Sequence, residues 1–280
     1  ACTTLPAAGN TALDFGTGGA HVTFGAAPEL GLAQFTIETW FRRDGAGTTV
    51  NTGTGGFYAG PLVTKGCGEA EGSNVDMNWF LGIRETTNVL AADFEDMAAG
   101  TNHPVLGTTV ITTGTWHHAA ATYDGATWKL YLDGQLEGTA AVGQTPRSDS
   151  IQHAALGTAM NSTGVAAGAF DGAIDEARVW NVARTQAEIV AAINDEIDAG
   201  QPGLVARWGL NEGSGVQVGD SVAPIVNGAV TGAGYAWVAG APFGLTFPVP
   251  AAPTLLASEA LAFNRIQLIW QDNATNESWF

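Results

Sequence analysis

Short alternating runs closed by glycine turns constrain this chain more than any other feature. Phe35, Ile37, Thr39 and Phe41 alternate with Thr36, Glu38, Trp40 and Arg42. That is the two-residue period of a pleated strand rich in β-branched and aromatic side chains. Trp116 to Tyr123 and Thr127 to Leu132 read as two further strands joined through Asp124-Gly125, and Asp133-Gly134 leads into the next. Asp-Gly pairs between apolar runs are hairpin signals, because both residues tolerate the positive φ such turns need. Comparable runs occupy 12–15, 21–24, 62–65, 78–84 and 173–180. Only one segment, about Thr185 to Ile197, reads as a helix: Thr185 and Glu188 form a capping box, and Ile189, Ile193 and Ile197 recur every four residues. Many short strands with a single helix predict an all-β fold, an antiparallel two-sheet jelly-roll sandwich with one short helix.

The 280 residues are 45% hydrophobic, with 38 Gly and nine Trp, which is enough apolar material for a core and excludes the signature of disorder. Ten Lys and Arg face 27 Asp and Glu, a net charge of −17, and no basic cluster exceeds the pair Arg42-Arg43. Such a chain repels a phosphate backbone, so nucleic acid is excluded as a partner. No apolar run approaches the ~20 residues that span a bilayer, so no membrane insertion is expected. The charged fraction of 13% is about half the usual value, and with acid in excess it fits a secreted, extracellular or cell-surface β protein. The opening Ala1-Cys2-Thr3-Thr4 has neither a basic nor an apolar leader region, so any signal peptide is expected either to have been removed already or to lie outside this sequence. Cys2 and Cys67 are the only thiols. Paired as a disulfide, they would close a loop of about 65 residues and stabilise the fold by roughly 4 kcal/mol; the alternative is two unpaired cysteines.

Composition shifts near Pro242. Residues 1–247 are expected to form the sandwich with closing strands, 248–253 (Pro-Val-Pro-Ala-Ala-Pro) a stiff extended linker, and 254–280 the start of a second module too short to bury its own core.

Ala12-Leu-Asp-Phe15, Phe35 to Phe41, Gly114 to Gly125, Trp128-Lys-Leu-Tyr-Leu-Asp-Gly134 and Phe170 to Trp180 occur in the order found in laminin-G-like and pentraxin-like (concanavalin A-like) jelly rolls. Residues 10–198 resemble that family. The segment Leu204 to Gly215, continuing to Trp237 and Phe243, resembles the closing strands of such domains in large secreted bacterial proteins. Ala252 to Ala257 and Ile266 to Glu277 resemble the first third of a fibronectin type III domain. The resemblance implies a modular secreted parent protein. It supplies no ligand, because this fold hosts lectins, adhesion modules and hydrolase accessories alike.

Calcium is the expected cofactor, since acidic glycine-rich turns supply the oxygens this hard cation needs. One grouping is Asp171 and Asp175 completed by Asp14 and turn carbonyls of 16–19; its plainer reading is an Asp-Gly turn, with Asp175 paired to Arg178 or Arg207. A second is Asn74, Asp76 and Asn78 with Asn161. Pentraxins place calcium ligands after a Thr-Lys pair, here Thr64-Lys65, and in a later loop, so the resemblance assigns Asp76, Asn78 and Asn161, although no carboxylate stands in 158–161. The acidic loop of Asp93, Glu95, Asp96 and Asn102 is a third. Asn74, Asp76, Asn161 and Trp79 are the candidate ligand-binding residues, with Trp79 able to stack on a pyranose or to pack in the core. His117-His118 on a strand reads as structural.

Catalysis finds no support in the motifs. The Glu-x-Asp-x-x-Glu string of jelly-roll glucanases, a Gly-x-Ser-x-Gly elbow and a phosphate loop are all missing from the sequence. The expectation is a non-enzyme: a calcium-stabilised carbohydrate-binding or adhesion module whose partners are a glycan or cell-surface or matrix polymer and the other modules of its parent. The alternatives are a structural unit of a surface layer, sheath or fibre, and an accessory domain of a secreted hydrolase.

Overall fold

A computed structural model of the chain describes residues 9–69, 74–245, 254–262 and 265–271, the last two as backbone strands. The chain divides into two units, Ala1–Phe243 and Gly244–Phe280. The first is an antiparallel sandwich. One sheet runs in the order Gln135–Ala141, Thr127–Leu132, Trp116–Tyr123, Phe35–Arg43, Gly172–Trp180, Thr11–Asp14, Ala236–Ala239, with Leu204–Trp208 also paired to Gly172–Trp180. The other runs Gln217–Val218, Gly228–Thr231, His21–Thr23, Ala154–Leu156, Tyr58–Lys65, Trp79–Arg84, Val89–Asp93, Val105–Val110, with Val50–Asn51 beside Tyr58–Lys65. This is the jelly-roll sandwich the alternating runs predict. In the second unit, Thr254–Ala262 and Arg265–Gln271 form an antiparallel pair.

The hairpins follow from their turns. Asp133 and Gly134 both sit at positive φ (49° and 74°), and Leu132 pairs directly with Gln135, a two-residue turn. Asp124 closes the preceding turn by accepting the Ala126 and Thr127 amides at 2.8 and 2.7 Å. Between the sheets lie Leu13, Phe15, Phe35, Ile37, Phe41, Leu81 and Ile174, with Phe35, Phe94, Tyr123 and Trp128 in mutual ring contact at 4.7–6.1 Å.

The opposite face of the first sheet is not wet. Thr36, Glu38, Trp40 and His118 are buried there beneath the helix Gln186–Ala192 and the segment after it. The capping box at Thr185 and Glu188 forms, but the helix stops short of the expected Ile197. The reason lies in its last carbonyls: Trp40 Nε1 donates to Ile193 O at 2.8 Å, and Arg178 donates to Ala192 O at 3.2 Å and to Asp195 O. Buried donors on the sheet take the acceptors that a further helical turn would use. Ile189, Ile193 and Ile197 still bury as the four-residue repeat requires. A bulge at Glu176, whose φ is 47°, turns both Asp175 and Arg178 to this covered face, opposite Trp40 and Glu38 respectively.

Among the described residues there is no disulfide. Cys67 is a buried thiol whose pKa burial, with Glu69 nearby, pushes up to about 11; Cys2 lies outside the described residues, as does the linker 248–253. No described helix is long and apolar enough to cross a membrane.

Candidate functional site

The residues singled out from sequence divide between several places. Trp79 is fully buried, its indole N–H donating to Leu30 O at 3.1 Å, so its ring belongs to the core and presents no stacking face. Asn78 accepts from Leu32 N at 2.8 Å and donates to Leu32 O at 3.0 Å, tying a loop to its strand. Asp76 is buried 3.4 Å from Arg147, and the Asn74 carbonyl accepts the Ile151 amide at 2.8 Å. Asn161 folds its carboxamide oxygen back onto Thr163 N, Thr163 Oγ1 and Val165 N, all within 3.0 Å. The donor chemistry of this pentraxin-like set therefore does not fit a calcium cage: Asn78 and Asn161 are turned to backbone, and Asp76 faces a cation.

The acidic loop is also structural. Asp93 Oδ2 accepts from Thr52 Oγ1 at 2.7 Å and Asn102 Nδ2 at 3.1 Å, and Asp96 accepts the Ala98 and Ala99 amides and contacts His103.

Asp14, Asp171 and Asp175 separate into two environments. Asp175 is buried, accepting Asn10 Nδ2 at 2.9 Å and the Ala241 amide at 2.8 Å; burial pushes its pKa up to about 7. Asp14 meets Arg42 at 3.1 Å, and Arg42 also holds Asp44 at 2.7 Å. Asp171 stands near them. Burial raises its pKa, with Asp44 and Asp14 adding repulsion. Among the described residues no three His, Cys, Asp or Glu side chains converge at metal-ligand spacing. His117 contacts Asp133 at 2.7 Å, and His118 is fully buried with its pKa pushed down to about 4, mainly by burial.

Among the described residues, a feature that could hold a ligand lies where strands of the two sheets end. A groove of about 450 Å³ is lined by residues from four segments. Arg43 comes from the end of Phe35–Arg43, and Gly47, Thr48 and Thr49 from the loop that follows. Gly60, Ile83 and Arg84 come from paired strands of the other sheet, Glu85 and Asn88 from the turn beyond them, and Phe170 from below. Its floor is apolar, since Phe170 and Ile83 belong to the core. Its rim is polar and charged.

The rim is held by backbone. Thr48 and Ala169 exchange N–H to O bonds at 2.8 and 3.0 Å. Gly47 has φ 61°, and a Cβ there would sit on the Ala169 carbonyl, so only glycine lets the two chains approach. Across the groove, Asn88 at φ 54° closes the turn by donating its amide to Arg84 O at 2.9 Å, while the Glu85 amide donates to Tyr58 O at 2.9 Å. Thr49 Oγ1 donates to Glu85 at 3.3 Å, linking the two walls. Tyr58, 53% exposed, precedes Gly60 by two residues and shares its face of the strand. An apolar floor and a rim of hydroxyl, amide and guanidinium donors suit a small polyhydroxylated ligand.

None of the sequence-derived candidates lines this groove, and sequence reading missed Arg43, Arg84 and Asn88. The available signal was the polar run 84–88 interrupting two apolar strands. It marks a turn, but not which other loop the turn faces.

Comparison with known proteins agrees with the fold. A mouse protein, pappalysin-1, is 29% identical over 197 residues, covering 66% of this chain but only 11% of that relative. A protein from Bacteroides ovatus assigned to carbohydrate binding superposes with a TM-score of 0.59 at 19% identity, over 87% of this chain and 64% of its own. The heptameric SAP-like pentraxin of Limulus polyphemus superposes with 0.52 at 14% identity, over 84% of this chain and 97% of its own. The CBM40 module of the Ruminococcus gnavus IT-sialidase, in a structure with α2,3-sialyllactose bound, gives 0.50 at 17% identity, over 64% of this chain and 95% of its own. The laminin G-like profile of the concanavalin A-like lectin/glucanases superfamily matches residues 15–190. Covering more than half of the sequence, that match establishes that the chain belongs to this superfamily.

Proposed function

We infer that the chain is a non-catalytic carbohydrate-binding module of a larger secreted protein, and that the groove at the end of the sandwich is its glycan site. The observation that carries this reading is the groove's construction, an apolar floor under a donor-rich rim. Support comes from similar folds that bind or are assigned to sugars, the Bacteroides ovatus protein and the sialidase module. Binding at one such site is expected to be weak and to gain strength when modules are linked. The pair of strands at 254–271 is read as the opening of a fibronectin type III neighbour.

Gly60 offers a clean test. A Cβ there would meet its nearest atom, Ile83 O, only at 3.9 Å, and its φ needs no glycine. Gly60→Leu is expected to fill the groove while leaving the melting temperature within a few degrees, and to abolish binding on a glycan array. An array on which the folded wild-type chain binds nothing, or on which Gly60→Leu binds as well as wild type, contradicts this assignment.

Calcium enters as a separate proposal, drawn from the family resemblance and supported by the charge at one edge. Asp171, crowded by Asp44 and Asp14, carries repulsion that a divalent cation would relieve, and carboxylates are the ligands calcium prefers. Asp14 and Asp171 would hold it there; Asp175 faces elsewhere. Millimolar calcium is then expected to raise the melting temperature, since a ligand selective for the native state stabilises by RT ln(1 + [L]/Kd), and Asp171→Asn should remove the rise. No rise in the wild type removes calcium and leaves the groove unaffected.

A further inference from the structure

Most of the arginines whose side chains are described sit against a carboxylate, and the two that do not share one place. Among the seven arginines whose side chains are described, Arg42, Arg147, Arg178, Arg184 and Arg207 each lie within 4 Å of a carboxylate. Arg43 and Arg84 do not, and both line the groove. They reach it from different sheets, Arg43 at the end of Phe35–Arg43 and Arg84 at the end of Trp79–Arg84. Arg43 Nε donates to Gly45 O at 2.9 Å, which uses one of its five N–H groups and aligns the head at the rim. In a protein of net charge −17, carboxylates are plentiful, so two arginines without one mark a site where positive charge is kept for something else.

The surrounding charges limit where an anion can sit. Glu85 also lines the groove, but Thr49 draws its carboxylate toward the loop wall. Asp171 lies near Arg43 without lining the groove. An anionic group is therefore directed to the Arg43 and Arg84 walls and away from Glu85. Guanidinium groups bind planar carboxylates and sulfates through paired N–H donors. We propose that the groove selects an acidic glycan, one bearing a carboxylate or sulfate, with Arg43 and Arg84 as the anion-binding residues. This rests on the groove being the glycan site.

The test compares the full chain's affinity for a panel of carboxylated, sulfated and neutral oligosaccharides, with each carboxylated member also presented as its methyl ester. The ester keeps shape and removes charge. At least one acidic member is expected to bind about ten-fold or more tightly than its neutral counterpart, the gap of a charge-assisted hydrogen bond. Arg84→Gln should erase most of that difference with no change in melting temperature, because its side chain makes no ion pair to lose. Arg43→Gln should also erase it, with a small drop in melting temperature from the lost bond to Gly45 O. Added salt should weaken the acidic ligand and leave the neutral one unchanged. A carboxylate preference or a sulfate preference identifies which anion the arginines read. Equal affinity for acid and ester, insensitive to both substitutions, overturns the proposal while the glycan site stands. Absence of binding to every member overturns the glycan site and this inference with it.

Discussion

Glu38→Ala is expected to cost the sandwich about 3–5 kcal/mol, the range measured when one partner of a buried ion pair is removed. Glu38 is fully buried; its Oε1 accepts from Trp180 Nε1 and from Arg184 Nη1, both at 2.8 Å, with Arg178 Nη1 at 3.6 Å. Burial alone would raise its pKa, yet Arg178, His118, Arg184 and the Trp180 N–H together hold it below the ordinary carboxylate value. Removing the carboxylate takes a buried counter-charge from Arg178 and Arg184 and orphans an indole N–H. Arg178 keeps Glu176 at 3.0 Å, but Glu176 is already shared with Arg207. Glu38→Gln retains an acceptor for Trp180 and should cost less than Glu38→Ala. Urea unfolding followed by tryptophan fluorescence measures both. A loss under about 1 kcal/mol for Glu38→Ala would show that the network contributes no more than an exposed pair.

Asp93→Asn is expected to make the protein more stable than wild type at pH 8, and to flatten its pH dependence. Asp93 is fully buried, and burial pushes its pKa up to about 7, with Thr52, Asn102 and the His103 and Phe94 amides pulling only part of the way back. A carboxyl whose folded pKa is raised binds a proton in the native state that the unfolded chain has already released. Its contribution is therefore fully present below pH ~4 and is lost as pH rises to about 7. Between pH 5 and 8 the loss is on the order of 2–3 kcal/mol. Asp175, also raised to about 7, acts in the same direction. His118, lowered to about 4, acts oppositely, since its stabilisation is lost as pH falls below ~6.5, so it offsets one carboxyl at the acid end. Melting temperatures of wild type and variant from pH 5 to 8 measure the effect. A wild type whose stability rises steadily to pH 8, with the variant parallel to it, would show that Asp93 is ionised at no such cost.

The strands were legible because their alternation and turns are local. Phe35 to Phe41, the Asp124-Gly125 and Asp133-Gly134 hairpins and the Thr185 cap each carry their signal within a few residues. What lies across the sheet was not legible. Thr36, Glu38 and Trp40 have the alternation of an outer face, yet they are buried because the helix and the residues just after it, as far as Ile193 and Asp195, return over them. The helix is shorter than its isoleucine repeat implies, because Trp40 and Arg178 capture carbonyls more than 150 and 14 residues away, respectively. The groove is the strongest instance. Arg43 and Arg84 lie 41 residues apart in sequence, and nothing local tells that each lacks a carboxylate or that their loops meet. Trp79, set between plausible ligands in sequence, points inward because Leu81 and Ile83 share its side of the strand and belong to the core.

The most direct measurement is amide chemical-shift mapping on the full chain, titrated with the best-binding oligosaccharide of the panel. Shifts are expected to concentrate at Thr48, Thr49, Gly60, Arg84 and Asn88 around the groove, with Asn74, Asp76 and Asn161 unmoved. Shifts gathered at Asp76 and Asn161, with the groove silent, would contradict the assignment and return the glycan site to the pentraxin-like position.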